Sequence, residues 1–300
     1  MKILCFTLLI ALSFSSFLND AEADSFYNYL KEKAPFEVYS PSENPFSNYT
    51  DEQLYAMFNN NIENPEGLTI IEDEELPPIN FPDSYDFRKS WKQCVSPIKD
   101  QGQCGSCWAF AATTSFAERT CIKTKGRFKP SFSAQEQVSC NKQNNACNGG
   151  YYIRAWEYLQ NYGIVKEQCW PYSSYNRGVE NCRNSCKTRA EKWTKYRARN
   201  VHIVKGINAI KTELVANGPV HVGFTLYKDF MNYKGGIYRH FSGNKIGGHA
   251  VVVVGYGKQN GINYWICENS WGPGWGESGY FRIRMGECGI DEYGYVGLPM

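Results

Sequence analysis

The chain has 300 residues, 32 Lys and Arg against 30 Asp and Glu, a formal net charge of +2, and 12 cysteines. That length allows one large or two ordinary domains with a sizeable core. The near-neutral charge excludes a generally basic nucleic-acid binder, and past the N-terminal stretch nothing runs apolar for the ~18 residues that a membrane span needs.

Lys2 precedes an apolar run from Ile3 to Phe17, and Ala21-Glu22-Ala23 fits a small-residue cleavage site. Residues 1–23 therefore read as a secretory signal peptide, which places the chain in an oxidising compartment where disulfides persist. Cys5 would leave with the signal, so 12 − 1 = 11 cysteines remain and at least one stays outside any disulfide. Such a thiol is either a buried bystander or a reactive group.

Residues 24–80 contrast with the remainder of the chain. They hold no cysteine and 12 acids against 2 lysines, a charge of −10, whereas residues 81–300 hold 16 acids against 29 Lys and Arg, or +13. The segment carries one predicted helix, Thr50 to Phe58, with Thr50 as cap and Gln53 completing a capping box. Asn48-Tyr49-Thr50 is a glycosylation sequon, with Asn48 the acceptor. The acidic, proline-marked "EDEELPP" reads as an exposed linker open to proteolysis.

From about 91 to 195 the chain is cysteine-dense and mostly helical. Ala109 to Lys123 predicts a helix of small residues, buried on several faces. "SFSAQEQVSC" predicts a second, with Ser133 as cap and Glu136 closing a capping box. "YYIRAWEYLQNYG" predicts a third, stopped by Gly163. From about 196 to 300 the pattern turns to strands, "HAVVVVGYG", "NYWICENSW" and "GYFRIRM", separated by glycine turns.

The chemistry centres on "DQGQCGSCWAF", where Cys104 and Cys107 form a CxxC pair. A zinc site would need a second ligand pair at similar spacing. A redox pair would want a preceding strand, and "SPIKDQGQ" is a poor one. A nucleophile fits better, because Cys107 opens a helix whose unpaired N–H groups and dipole favour a thiolate. A thiolate needs a base and a group to orient that base. Of four histidines, His202 and His221 lie in strands and suit packing or surface, and His240 lies in a polar loop. His249 heads an apolar strand behind two glycines and can face a cleft. Asn269 could accept from its ring N–H, with Trp271 shielding that bond.

Taken together these residues resemble the papain family of cysteine proteases, and within it the cathepsin B type. The C-G-[SA]-C-[WY] signature of that family has its histidine and asparagine about 130–150 residues downstream. Here the gaps are 249 − 107 = 142 and 269 − 107 = 162. The resemblance runs in order through "FPDSYDFR", "DQGQCGSCWAF", "CNGGYY", "NGPVHVGF", "GGHAVVVVGYG" and "NSWGPGWGESGYF", nearly all of 81–300.

The resemblance implies an α+β, papain-like fold of two domains, a helical half with Cys107 and a β-barrel-like half with His249, and an active-site cleft between them. It implies Cys107 as nucleophile, His249 as its proton partner, Asn269 as the residue orienting His249, and Gln101 as an oxyanion-hole donor. It places Gly149, Gly150, Tyr151, Tyr152, Gly223, Gly248, Ala250, Trp271 and Tyr293 along the substrate path. It implies disulfides Cys94–Cys121, Cys104–Cys147, Cys140–Cys182 and Cys169–Cys186, and leaves open whether Cys267 and Cys288 pair. Residues 24–80 become a propeptide, an inhibitor of the peptidase in 81–300. Its docking would draw on the charge contrast, or on apolar contacts through Phe26, Tyr27, Leu30, Tyr55 and Phe58.

Two departures from cathepsin B stand out. The interval between Tyr172 and Cys182 is too short for the occluding loop and has no histidine, so the carboxylate clamp is absent. Tyr293 stands where that type has an acid in its second specificity pocket. The expected function is a cysteine endopeptidase without carboxydipeptidase activity, made as a zymogen and either secreted or held in lysosomal or endosomal vesicles. Protein and peptide substrates and cystatin-like inhibitors are the expected partners. No metal, cofactor, nucleic acid or membrane is implied, and a monomer is expected.

Overall fold

The computed structural model describes residues 22, 24–58, 68–77, 81–189 and 191–300. The expected signal peptide lies, but for Glu22, outside the described residues. The strands are β1 Glu37–Val38, β2 Ile70–Glu72, β3 Tyr85–Asp86, β4 Ala198–Lys205, β5 Val220–Tyr227, β6 Tyr233–Gly235, β7 Ile237–Tyr238, β8 Lys245–Gln259, β9 Ile262–Glu268, β10 Tyr280–Arg284 and β11 Tyr293–Pro299. The large sheet runs β2-β4-β11-β5-β8-β9-β10-β7, with β3 on β8. The hairpin from β8 to β9 turns on Asn260 and Gly261, whose φ angles of 52° and 81° give the primed turn that matches strand twist.

The helical half is built on a central helix, Cys107–Lys123, in which every side chain from Cys107 to Cys121 is buried. Its alanines, serine and threonines let neighbours approach on all sides, which is why it has no solvent face. The helices Ala134–Cys140 and Tyr152–Asn161 pack against it. Gly163, at φ 72°, follows the latter. The capping box expected at Ser133 forms only by half. Ser133 Oγ accepts the Glu136 N–H at 3.0 Å, but the Glu136 carboxylate does not return to the cap. It accepts instead from Tyr158 Oη at 2.9 Å and Val165 N at 2.8 Å, and pairs with Lys195. These tertiary donors outcompete the local one because Glu136 is fully buried.

One buried arginine fastens the two halves. Arg119 of the central helix pairs with Glu213 of the helix Ile207–Asn217 at 2.7 Å, and donates to the carbonyls of Pro219 at 2.7 Å and Gly218 at 3.0 Å. Burial by itself would raise the Glu213 carboxyl pKa, but the adjacent guanidinium charge and its hydrogen bond hold it below the ordinary value.

The described parts of the leading segment lie on the rest of the chain. Residues 24–33 are helical, β1 pairs antiparallel with β6, and β2 pairs parallel with β4. Thr50 and Gln53 make the expected reciprocal capping box on the helix Asp51–Met57. Leu30, Phe36, Phe46, Leu54, Met57 and Phe58 are buried, whereas Tyr55, expected to dock, is 44% exposed. The reading of "EDEELPP" as a free linker needs correction. Glu72 ends β2, and the Asp73 carboxylate accepts the N–H groups of Ala209 at 2.6 Å and Asn208 at 3.1 Å. Only Glu74, Glu75 and Pro77 of the described stretch are exposed. Asn48 is also exposed.

Candidate active site

Cys107 is the first residue of the central helix, behind Ser106, whose side chain makes no capping hydrogen bond to the helix. The positive end of the helix dipole therefore lies beside the thiol. The Ala250 N–H donates to Cys107 Sγ at 3.4 Å, which brings β8 across to the helix. His249, one residue earlier on β8, is fully buried. Its Nε2 lies 2.8 Å from Asn269 Oδ1, so Nε2 carries the proton and Nδ1 is the basic nitrogen. Trp271 stacks on the imidazole at 4.7 Å between ring centres and screens that bond from water. Asn269 Oδ1 also accepts from Ser270 N at 2.9 Å.

Gln101 is fully buried and doubly held. Ser270 Oγ donates to its Oε1 at 2.7 Å, and its Nε2 donates to Cys104 O at 2.9 Å. Ser270 was not singled out in the sequence; its neighbour Asn269 was the only pointer to it. Four disulfides brace the helical half: Cys94–Cys121, Cys104–Cys147, Cys140–Cys182 and Cys169–Cys186. Cys107, Cys267 and Cys288 stand outside them. Among the described residues no group of three or more His, Cys, Asp or Glu is placed to hold a metal ion.

The other residues named from the sequence fall in two places. Gly149, at φ 94°, and Gly150 follow Cys147, and a Cβ on Gly150 would meet Asn144 Cγ at 2.8 Å and Trp108 at 3.0 Å. Tyr151 receives the Asn144 side chain through its backbone N–H, at 2.8 Å. Gly223 on β5 faces Ala250 on β8, and Tyr152 fills the space that a Cβ at 223 would take. Tyr152 also packs on His221 and Tyr295, at 5.1 and 5.6 Å between ring centres. Tyr295 was missed in the sequence. Tyr293 pairs with Lys205 on β4, two residues back along β11. His221 is buried as expected, accepts from Trp156 Nε1 at 3.2 Å, and burial pulls its pKa down to about 3. His202 bonds the Asn200 carbonyl, and His240 meets Asp229.

The leading segment passes directly over this arrangement. The carbonyls of Met57 and Ala56 lie 3.1 and 3.2 Å from the Cβ position of Gly105. Phe58 O accepts from Gly248 N at 2.9 Å, and the Phe58 ring meets His249 edge-on at 5.3 Å. Phe58 is fully buried. Burial lowers the His249 pKa to about 4, partly opposed by the Asn269 hydrogen bond.

The papain family cysteine protease model matches residues 81–298. Cathepsin B-like CP3 of Giardia intestinalis is 42% identical over 217 residues, covering 70% of this chain and 72% of that protein. Cathepsin B of Dictyostelium discoideum is 35% identical, covering 74% and 76%. Among solved structures, proCathepsin B S9 from Trypanosoma congolense superposes with a TM-score of 0.82 at 30% identity, over 92% of this chain and 98% of that one. Digestive procathepsin L2 from Tenebrio molitor gives 0.75 at 29% identity, over 94% and 90%. With the family model spanning most of the chain and relatives of this type in both sequence and structure, the chain belongs to the papain family of cysteine proteases, where it is cathepsin B-like.

Proposed function

We propose that this chain is the zymogen of a cysteine endopeptidase of the secretory pathway, secreted or held in lysosomal or endosomal vesicles. Residues 24–80 are its propeptide, cut between Leu76 and Phe81. The observation that carries the reading is the 2.8 Å bond from His249 Nε2 to Asn269 Oδ1. It leaves Nδ1 to exchange a proton with Cys107.

In the working enzyme the Cys107 thiolate attacks the substrate carbonyl carbon while His249 is imidazolium. The carbonyl oxygen takes the negative charge and is met by the Cys107 N–H and a Gln101 Nε2 hydrogen. Each such donor lowers the barrier by roughly 3–4 kcal/mol in comparable sites. His249 Nδ1 then protonates the departing amine, and the C–N bond breaks to leave a thioester. Water, deprotonated by His249, cleaves that thioester and restores the thiol.

Internal cleavage is supported by the 172–182 interval. It is short, and it is tied down by Gln103 N to Tyr175 O at 2.7 Å and Ser174 Oγ to Gly178 O at 2.7 Å. The cleft is then open at both ends. In the second pocket, Tyr152 covers Gly223 and Tyr293 stands in place of an acid. Arginine there should be cut about tenfold less well than an apolar residue, a difference of about 1.4 kcal/mol.

The deciding experiment uses the processed enzyme. Cys107→Ala should fold and lose all peptide hydrolysis, and an epoxide that alkylates active-site thiols should label wild type once. Comparable turnover in the variant would end the assignment. A ladder of two-residue losses from substrate C-termini would end the endopeptidase reading alone.

A further inference from the structure

The end of the leading segment is held by two devices at once. Backbone pairing sets Ile70 opposite Ile203, Ile71 opposite Val204 and Glu72 opposite Lys205, and the Ile203 N–H donates to Thr69 O at 3.0 Å. Ile70 packs against the core of the helical half and Ile71 against that of the β half. Glu72 pairs with Lys205 at 3.0 Å. The chain then turns so that the Asp73 carboxylate caps the helix Ile207–Asn217 from outside, through Asn208 N and Ala209 N. Gly206 is what admits it: the position of a Cβ there lies 2.6 Å from Asp73 Cγ. That helix has no capping side chain of its own.

β2 is the outermost strand of the sheet, so its departure leaves β4 as a bare edge with a row of unpaired backbone groups. The same departure uncaps the adjoining helix. We propose that the processed enzyme uses this vacated edge as a second docking site, on β4 rather than at Cys107 and His249, for extended substrate segments in which two apolar residues are followed by two acids. The occupant is defined by what now sits there. Main-chain pairing with β4 supplies affinity without sequence preference, as in strand-addition complexes. The apolar pair fills the two positions on either face of the strand. Lys205 selects the first acid. The helix N-terminus, which favours a carboxylate, selects the second. The inference rests on the reading that the segment ahead of the peptidase is removed on maturation.

The test uses processed enzyme with Cys107 alkylated by iodoacetamide, so that nothing bound is cut. Peptide mapping of the added group to Cys107, rather than to Cys267 or Cys288, checks the active-thiol reading independently. A fluorescein-labelled peptide of residues 68–76 is titrated and followed by anisotropy. Saturable one-to-one binding is expected, absent from the intact zymogen. Asp73→Asn in the peptide should weaken it about tenfold. Lys205→Glu in the enzyme should weaken it several-fold, and Glu72→Lys in the peptide should restore binding to that variant alone. Binding should persist in a second preparation in which a bulky peptidyl epoxide, used in place of iodoacetamide, fills the cleft. Binding that is lost with the cleft blocked, or that ignores Asp73→Asn and the charge swap, overturns the proposal even where alkylation shows an intact active thiol.

Discussion

In the proposed mechanism His249 carries a charge, yet it sits buried, where charge is least favourable. With Phe58 over it, burial lowers its pKa to about 4 from an ordinary 6.5. A group whose pKa is depressed by docking binds its proton better when undocked. The part of that shift caused by Phe58 is reversed on undocking, so the open form binds the proton more tightly and docking weakens as pH falls toward about 4. Acid should speed maturation for this reason alone. A histidine titration followed by NMR should show the His249 midpoint rising when the propeptide is removed; an unchanged midpoint would rule out the coupling. Glu118 works in the opposite sense. It is fully buried, with Oε1 accepting from Ser96 N at 3.0 Å and Oε2 unpartnered among the described residues. Burial raises its pKa to about 8. Its raised pKa contributes stability that is complete below about 4.5 and is lost as pH rises through about 8. Glu118→Gln should flatten the alkaline fall in thermal midpoint. At this scale the sequence was most readable where partners are local. Thr50 and Gln53 are three residues apart and formed their box as expected. Glu136 did not, because its partners Tyr158, Val165 and Lys195 lie 22 to 59 residues away.

At the level of elements, the inhibitory segment works as a helix with a plug at its end. The capping box starts the helix Asp51–Met57, and Phe58 closes it over His249. Truncating a buried phenylalanine typically costs about 3–5 kcal/mol. Phe58→Ala should therefore raise the activity of the uncut zymogen on a small peptide ester, measured before any N-terminal shift. No rise would place the block elsewhere, for instance in the backbone passing Gly105. The strand β2 was hidden in the sequence for a physical reason. It has three residues, too few for an alternating pattern, and its pairing partner lies over 130 residues on. The acids beside it point to an exposed stretch, whereas Glu72 and Asp73 are held by Lys205 and by the N–H groups of Asn208 and Ala209. The long strand β8, by contrast, advertised itself through its buried run from Ala250 to Tyr256.

For the molecule as a whole, the charge contrast of −10 against +13 is expressed in few contacts. Among the described residues, Glu43–Lys234, Asp51–Lys228 and Glu72–Lys205 join the two parts, all substantially exposed. Such pairs contribute about 0–1 kcal/mol each and fade with salt. High salt should speed maturation less than acid does, and N-terminal sequencing over time at each condition measures this. The tie between the halves is of another kind. Removing one partner of a buried ion pair typically costs about 3–5 kcal/mol, so Glu213→Ala should lower the denaturant midpoint sharply. A shift under about 1 kcal/mol would mean that water replaces the carboxylate on Arg119.

The three holds on the leading segment, β1 on β6, Phe58 at the site and β2 on β4, are spread along its length. A cut between Leu76 and Phe81 breaks none of them. It changes only whether inhibitor and enzyme are one molecule or two. Before the cut, the tether keeps their effective concentration high whatever the dilution; afterwards, occupancy follows the concentration of free fragment. A freshly cut sample should therefore gain specific activity when diluted and lose it again when concentrated, until the fragment is itself digested.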